Sequence, residues 1–317
     1  MTGAAGAARA GGAPGATGAG RFAPSPTGSL HLGNLRTAFL AWLFARSAGL
    51  RFLVRVEDLD TGRVRPHFER EQLEDLAALG LDWDGPVVRQ SERLARYDEA
   101  LAALDAQGLL YPCYCTRREI REAASAPHGA GAEATYPGTC RDLAPGERER
   151  LERGGRRPAL RLRAGAERVA FTDRLLGPCE DVVDDLVLRR NDGEPAYNLA
   201  VVVDDAAQDV TQVVRGADLA ETTPRQLLVG RLLGLSAPEY AHVPLVLGPD
   251  GARLAKRHGA VTLRERAARG EPPARVRGLL AESLGLAGPG EEPAADELLA
   301  RFDPDQLPRE PTLLDAG

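Results

Sequence analysis

Arg21-Phe22-Ala23-Pro24-Ser25-Pro26-Thr27-Gly28-Ser29-Leu30-His31-Leu32-Gly33-Asn34 is the stretch on which the reading of the fold turns. Residues 21–23 read as a short strand that runs into a turn of proline, serine and glycine. An apolar-periodic helix follows over 32–48, with Leu35, Phe39, Trp42 and Leu43 on one stripe. Strand, tight loop and helix N-terminus together aim free backbone N–H groups and the positive dipole end at a phosphate. His31 can donate hydrogen bonds there, and Gly33 lets a flat base approach the backbone. Neither the P-loop lysine pattern nor G-x-G-x-x-G occurs in this stretch, so it points to a different kind of nucleotide site. The bland alternative is a histidine that only caps a helix.

Working outward, strands and helices alternate. Residues 52–56 read as a strand ending in Glu57, Asp58 and Asp60, and 69–79 and Leu94–Ala106 as amphipathic helices. Residues 200–203 and 213–215 read as short buried strands, 224–233 as a helix and 242–247 as a further strand. This order predicts an α/β protein with a doubly wound parallel, Rossmann-like sheet. Ligands of such sheets bind beyond the carboxyl ends of the strands. Ser25, Glu57 and Arg215 all sit at strand exits, so one cleft can collect them.

Of the 40 Lys and Arg residues only one, Lys256, is lysine. It lies in Arg253-Leu254-Ala255-Lys256-Arg257-His258-Gly259, after the turn Gly248-Pro249-Asp250-Gly251. Lysine is a compact ammonium on a flexible stem, whereas guanidinium is a planar fork. A mobile point charge suits a developing phosphate charge, so the spared lysine is a candidate catalytic group. Chance placement is the competing explanation, and it weakens once the early histidine motif is paired with this late one.

His31-Leu32-Gly33-Asn34 and Arg253-Leu254-Ala255-Lys256-Arg257 resemble the two signature motifs of class I aminoacyl-tRNA synthetases. The segment 21–28, Val56-Glu57-Asp58-Leu59-Asp60, Tyr197-Asn198-Leu199-Ala200 and Val214-Arg215-Gly216-Ala217-Asp218 narrow the resemblance to the glutamyl branch, over about 21–260. Arg253 stands where relatives usually have lysine, and Ala255 replaces a hydroxyl residue. The resemblance implies catalytic roles for His31 and Lys256. It implies ATP contacts from Pro24, His31, Gly33, Asn34 and Lys256, with Mg²⁺ bridging the phosphates. Glutamate, with two carboxylates and one ammonium, would meet Arg21, Arg215 and Glu57, with Ser25 and Tyr197 adding hydrogen bonds. For Glu57 and Asp58 a cap or surface pair, and for Arg215 a structural ion pair, are the structural alternatives.

Cys113, Cys115 and Cys140 cluster in sequence, and a fourth cysteine, Cys179, lies apart. Four cysteines in a long chain do not suggest a disulfide framework. Three clustered thiols suggest zinc, which takes four tetrahedral ligands. Chemistry alone favours His128 or Cys179 as the fourth, although His128 sits in a Gly/Ala loop; buried reduced thiols without metal are the alternative. The truncated glutamyl relatives have a tyrosine four residues before the last cysteine, which implies Cys113, Cys115, Tyr136 and Cys140 in an insertion over 111–141.

Length and composition fit a globular enzyme: 317 residues, 43% hydrophobic, net charge −6. The acidic balance does not exclude a nucleic-acid partner, which needs only a local basic face. The arginines interleaved with glutamates over 147–163 read as a solvated helix. No apolar stretch approaches the ~18 residues of a membrane span. Residues 1–20 read as a disordered Ala/Gly-rich tail without signal-peptide character, so a cytoplasmic location is expected. Only 58 residues follow Gly259, a short proline-rich segment (261–317) where a glutamyl-tRNA synthetase would continue into an anticodon-binding region. The truncated family with this zinc pattern is the glutamyl-queuosine tRNA(Asp) synthetases. The chain resembles these enzymes, and the resemblance implies ATP-dependent, tRNA-independent activation of L-glutamate and its transfer to the queuosine base of tRNA(Asp). Two other readings are an ordinary glutamyl-tRNA synthetase catalytic half and a non-catalytic paralogue that binds glutamate or tRNA.

Overall fold

The computed structural model describes residues 8–9, 17–124, 136–252, 254 and 258–314. Its centre is a seven-stranded sheet. In chain order the strands are β1 (Ala19–Phe22), β2 (Arg51–Val56), β3 (Val88–Arg89), β4 (Glu167–Asp173), β5 (Gly177–Val183), β6 (Val210–Gly216) and β7 (Glu239–Val243). They lie side by side as β3-β2-β1-β6-β7-β4-β5. Every neighbouring pair is parallel except β4–β5, which closes one edge as an antiparallel hairpin. The doubly wound α/β sheet expected from the alternation is present.

Strand β1 begins at Ala19, two residues before the sequence reading placed it. Small residues are what this position demands. A Cβ on Gly20 would lie 2.8 Å from that of Ala45, so only glycine lets helix α1 (Leu32–Ser47) pack this closely on the strand. That helix is buried on nearly all sides, including Leu32, Leu35, Phe39, Leu40, Trp42 and Phe44. One side meets Phe22, Phe52, Val54 and Val214 of the sheet; the other meets Val276, Leu280, Ala281 and Leu298. The C-terminal segment therefore shares the main core. Its helices Pro273–Glu282 and Ala295–Arg301 pack in that layer, and its strand Thr312–Leu313 pairs with Val246–Leu247.

Alternation along the strands divides the two faces of the sheet, because successive side chains point oppositely. Phe52 and Val54 join the α1 layer, whereas Leu53 joins Val213 and Tyr240 on the opposite face. Helix α2 (Pro66–Ala78) adds Leu76 to the α1 core, and a second cluster is built from α3 (Leu94–Ala106), α4 (Tyr197–Ala207) and α5 (Thr223–Leu232), with Tyr97, Leu199 and Leu228. Residues 200–203, read from sequence as a strand, are in fact the middle of α4. The Val-Val-Val run has strand propensity, but tertiary context overrides it. Leu199, Ala200, Val201, Asp204 and Asp205 are buried along α4, and the spacing between these two groups is that of one helical turn. Residues 147–163 also divide: Pro145–Arg153 is a helix with no buried residue, and Ala159–Leu162 is a strand.

Candidate active site

The β1–α1 loop is held from three sides. Pro24 O accepts from Glu57 N (2.9 Å), Pro26 O from Arg65 N (3.0 Å), and Gln72 Nε2 reaches both Ser25 O (3.1 Å) and Gly28 O (2.7 Å). Gln72, buried in α2, is a positioning residue that no sequence motif marked. At the start of α1, His31 Nδ1 accepts from Asn34 N (3.3 Å) and Asn34 Oδ1 accepts from His31 N (3.3 Å). This reciprocal cap assigns structural work to both residues. With Nδ1 accepting, a neutral His31 carries its proton on Nε2. A Cβ on Gly33 would stand 3.0 Å from His31 Cε1, so glycine here keeps the imidazole in place. Leu32 N donates to Val261 O (2.7 Å), which ties the helix start to the segment after the lysine motif.

Beyond β2 the two acidic neighbours separate. Asp58 accepts from Ser91 N (2.8 Å) and Ser91 Oγ (2.6 Å), the local role foreseen as its alternative. Glu57 turns into the cleft, 3.5 Å from Arg55 Nη2. Burial pushes the Glu57 carboxyl above its ordinary range, with Arg55 and Arg21 opposing. Behind it, Asp205 of α4 accepts from Arg21 Nε (3.2 Å), Arg21 Nη2 (3.3 Å) and Arg55 Nη1 (2.7 Å). Asp204 accepts from Arg93 Nε (2.5 Å), Gln90 Nε2 (2.9 Å) and Tyr97 Oη (2.7 Å). Three guanidinium groups thus meet three carboxylates. The paired aspartates were legible only as part of a hydrophobic run, and Arg21 was read without its partner.

Arg215, at the end of β6, has a different setting. Its Nε donates to His242 Nε2 (3.0 Å), Nη1 to Gln226 Oε1 (2.8 Å) and Nη2 to Thr223 Oγ1 (2.8 Å) and Leu219 O (3.4 Å). His242 in turn sits 2.6 Å from Asp173 Oδ2 through Nδ1. No carboxylate pairs with Arg215 among the described residues.

One cavity of about 530 Å³ gathers these groups: Arg21, Pro24, Ser25, His31, Gly33, Asn34, Glu57, Tyr197 and Arg215 all line it. It lies beyond the carboxyl ends of β1 and β6, where the sheet order reverses, which is where ligands of doubly wound sheets bind. Leu254 also lines it. Arg253, Ala255, Lys256 and Arg257 lie outside the described residues, as does His128. Tyr197, 38% exposed, forms the rim. It also lines a second cavity of about 1050 Å³ beside Arg117, Arg156, Arg157, Arg161 and Arg190.

That second cavity leads to the cysteines. Strands Leu110–Cys113, Ala159–Leu162 and Val187–Arg189 form a separate three-stranded sheet. On it Cys113, Cys115 and Cys140 bring their sulfurs within 4.8 Å of one another. Tyr136 Oη lies 3.4 Å from Cys113 Sγ and accepts from Cys140 N (2.8 Å). Tetrahedral thiolates on one metal sit about 3.8 Å apart, and Cys115 and Cys140 are separated by 3.5 Å. The donor set fits a soft divalent metal. Cys179, on β5, is not in this cluster; its Sγ faces Gly177 O.

The family described as tRNA synthetases class I (E and Q), catalytic domain, matches residues 19–296. A glutamyl-Q tRNA(Asp) synthetase of Nocardia farcinica is 61% identical, the match covering 95% of this chain and 94% of that one. One from Symbiobacterium thermophilum is 52% identical over 94% and 96% of the two chains. The chain belongs to the glutamyl-Q tRNA(Asp) synthetases. Among solved structures, a glutamate tRNA ligase of Elizabethkingia meningosepticum, in complex with its amino acid, superimposes with a TM-score of 0.81 at 27% identity. That match covers 95% of this chain and 67% of the ligase. As a member of the glutamyl-Q tRNA(Asp) synthetases the chain is a class I ligase, and the fold and recognition read from its motifs stand. Among the described residues no helix is long and apolar enough to cross a membrane.

Proposed function

We propose that this enzyme activates L-glutamate with ATP and transfers the glutamyl group to the queuosine base of tRNA(Asp). The observation that carries the reading is a single cleft lined by two guanidinium groups, Arg215, which meets no carboxylate among the described residues, and Arg21, together with the acid Glu57; Asp218 is a second acid on its wall. Arg21, Arg215 and Glu57 together complement two carboxylates and one ammonium. Arg215 offers a full positive charge to one carboxylate. Arg21 keeps Nη1 for the other, since its Nε and Nη2 are taken by Asp205. Glu57 receives the ammonium, and Ser25 and Tyr197 supply hydroxyls.

In the reaction the glutamate α-carboxylate attacks the α-phosphorus of ATP, and pyrophosphate leaves. Phosphoryl chemistry of this kind needs position and stabilisation of oxygen charge more than covalent help. His31 Nε2–H and the N-terminus of α1 serve the α-phosphate, with Pro24, Gly33 and Asn34 beside the nucleotide. Lys256 serves the departing pyrophosphate; its neighbour Leu254 is in the cleft wall and Val261 is bonded to α1. Mg²⁺ supplies charge neutralisation on the phosphates when bound. Cys113, Cys115, Tyr136 and Cys140 would hold zinc, which would cross-link the ends of the small sheet. The arginine-lined cavity beside it shares Tyr197 with the glutamate cleft, which suits a polyanion presenting a base to the adenylate.

Two measurements test this together. Glutamate-dependent ATP–pyrophosphate exchange should proceed without tRNA. Labelled glutamate should attach to queuosine-containing tRNA(Asp) lacking its 3′-terminal adenosine. Exchange that strictly requires tRNA(Glu) would return the chain to the ordinary glutamyl-tRNA synthetases.

A further inference from the structure

The two arginines of the cleft are held in opposite ways. Arg21 is bound bidentately by a carboxylate, Asp205. Arg215, equally buried, is bound by His242, Gln226, Thr223 and the carbonyl of Leu219, none of which carries a negative charge when His242 is neutral. His242 is kept in that state by geometry. Asp173 Oδ2 takes its Nδ1 proton at 2.6 Å, which leaves Nε2 as an acceptor facing Arg215. Asp173 is itself fixed by the backbone N–H groups of Leu175, Leu176 and His242. Burial lowers the His242 pKa below its ordinary value and the Arg215 charge adds to this, with Asp173 opposing. Gln226 is locked in turn, since its Nε2 donates to Asn198 Oδ1 (3.1 Å) and its Oε1 therefore faces Arg215.

We propose that Asp173, His242 and Gln226 are positioning residues that form an uncharged collar around Arg215, so that the first carboxylate this guanidinium meets is the substrate's. A bidentate guanidinium–carboxylate bond formed out of water exceeds a neutral hydrogen bond by about twofold in strength. A protein carboxylate in the collar would spend that advantage before glutamate arrives. The collar thus separates two needs. It satisfies the guanidinium's donors, which burial requires, and it leaves the charge unanswered. The proposal rests on the reading of Arg215 as a glutamate-carboxylate ligand.

The decisive variant is Gln226→Glu, which adds a carboxylate against Arg215 Nη1 and should give an ion pair inside the protein. Expected is a rise of about 10- to 100-fold in the KM for glutamate in pyrophosphate exchange. The KM for ATP should stay within about twofold, and the unfolding temperature should change little, because the new ion pair offsets the lost Gln226 Nε2–Asn198 Oδ1 bond, which a turn of the Asn198 amide can restore. A merely structural role would lower the unfolding temperature and disturb both substrates together. A second pair of variants guards against misfolding. His242→Gln places an amide oxygen near the position of Nε2 and should keep the glutamate KM within about threefold; His242→Leu removes the acceptor and should raise it about tenfold. Arg215→Ala separates the two layers of the argument. If it leaves the glutamate KM unchanged, the reading of Arg215 as ligand fails. If it raises that KM while Gln226→Glu does not, the ligand stands and the collar is wrong.

Discussion

Asp205→Asn removes one negative charge from a buried set in which Arg21, Arg55 and Arg93 face Glu57, Asp204 and Asp205. The carboxylate accepts three charged hydrogen bonds, at 3.2, 3.3 and 2.7 Å. Asparagine keeps the shape and one acceptor oxygen, so at least one of these bonds is lost and the set is left with an unanswered positive charge. Breaking a buried pair from one side costs about 3–5 kcal/mol, because the remaining charge stays desolvated. For a chain of this size that corresponds to a fall of roughly 5–10 °C in unfolding temperature. The same change loosens Arg21, whose Nε and Nη2 both bond Asp205 on the cleft wall, so under the proposed function the glutamate KM should rise as well. Asp205 also raises the Glu57 carboxyl, so its loss moves Glu57 toward ionisation and the acid limb of glutamate binding toward lower pH. Thermal unfolding by circular dichroism and exchange kinetics across pH read all three effects. An Asp205→Asn protein that unfolds within about 1 °C of the wild type would refute the account of this network.

Lys256→Arg should slow adenylate formation about a hundredfold, on the order of 3 kcal/mol for one preorganised charge on a phosphate; exchange at the wild-type rate would overturn the role of the lone lysine. Purified protein should contain close to one zinc per chain by metal analysis, lost in Cys140→Ser and kept in Cys179→Ser; loss in Cys179→Ser with retention in Tyr136→Phe would discard the ligand set. Burial pushes Asp75 up to about 7, with Glu71 adding, Arg264 opposing and Glu74 adding. A carboxyl raised in the folded state contributes stability that is present below its unfolded value near 4 and lost as pH rises through about 7. Asp75→Asn should therefore be more stable than wild type by about 1–2 kcal/mol at pH 8, after allowance for solvent screening, with the gain shrinking toward pH 5. Urea denaturation at the two pH values checks it, and a gain that grows on acidification would be the wrong sign.

What the sequence determined by itself was whatever chemistry and short-range geometry encode together. The His31 motif placed a strand, a loop and a helix start within fourteen residues of each other, and local sterics leave few ways to fold that order. The resemblance to the glutamyl branch named Arg21, Ser25, Glu57, Tyr197 and Arg215 as one pocket, and these five residues line one cavity. The cysteine cluster was legible for the same reason, since thiols at that spacing share one chemistry. What only the tertiary structure decided was partnership across long separations. Residues 200–203 looked like a strand from their branched side chains, yet they are helix because Asp204 and Asp205 must reach Arg21, Arg55 and Arg93. Arg21 and Arg215 read alike in sequence. Only the fold gives Asp205 to the first and a histidine and a glutamine to the second, so that one guanidinium is answered by a carboxylate and the other is held by neutral groups. Such partners lie 184, 27 and 11 residues away, and electrostatic pairing follows distance in space, of which spacing along the chain carries no record.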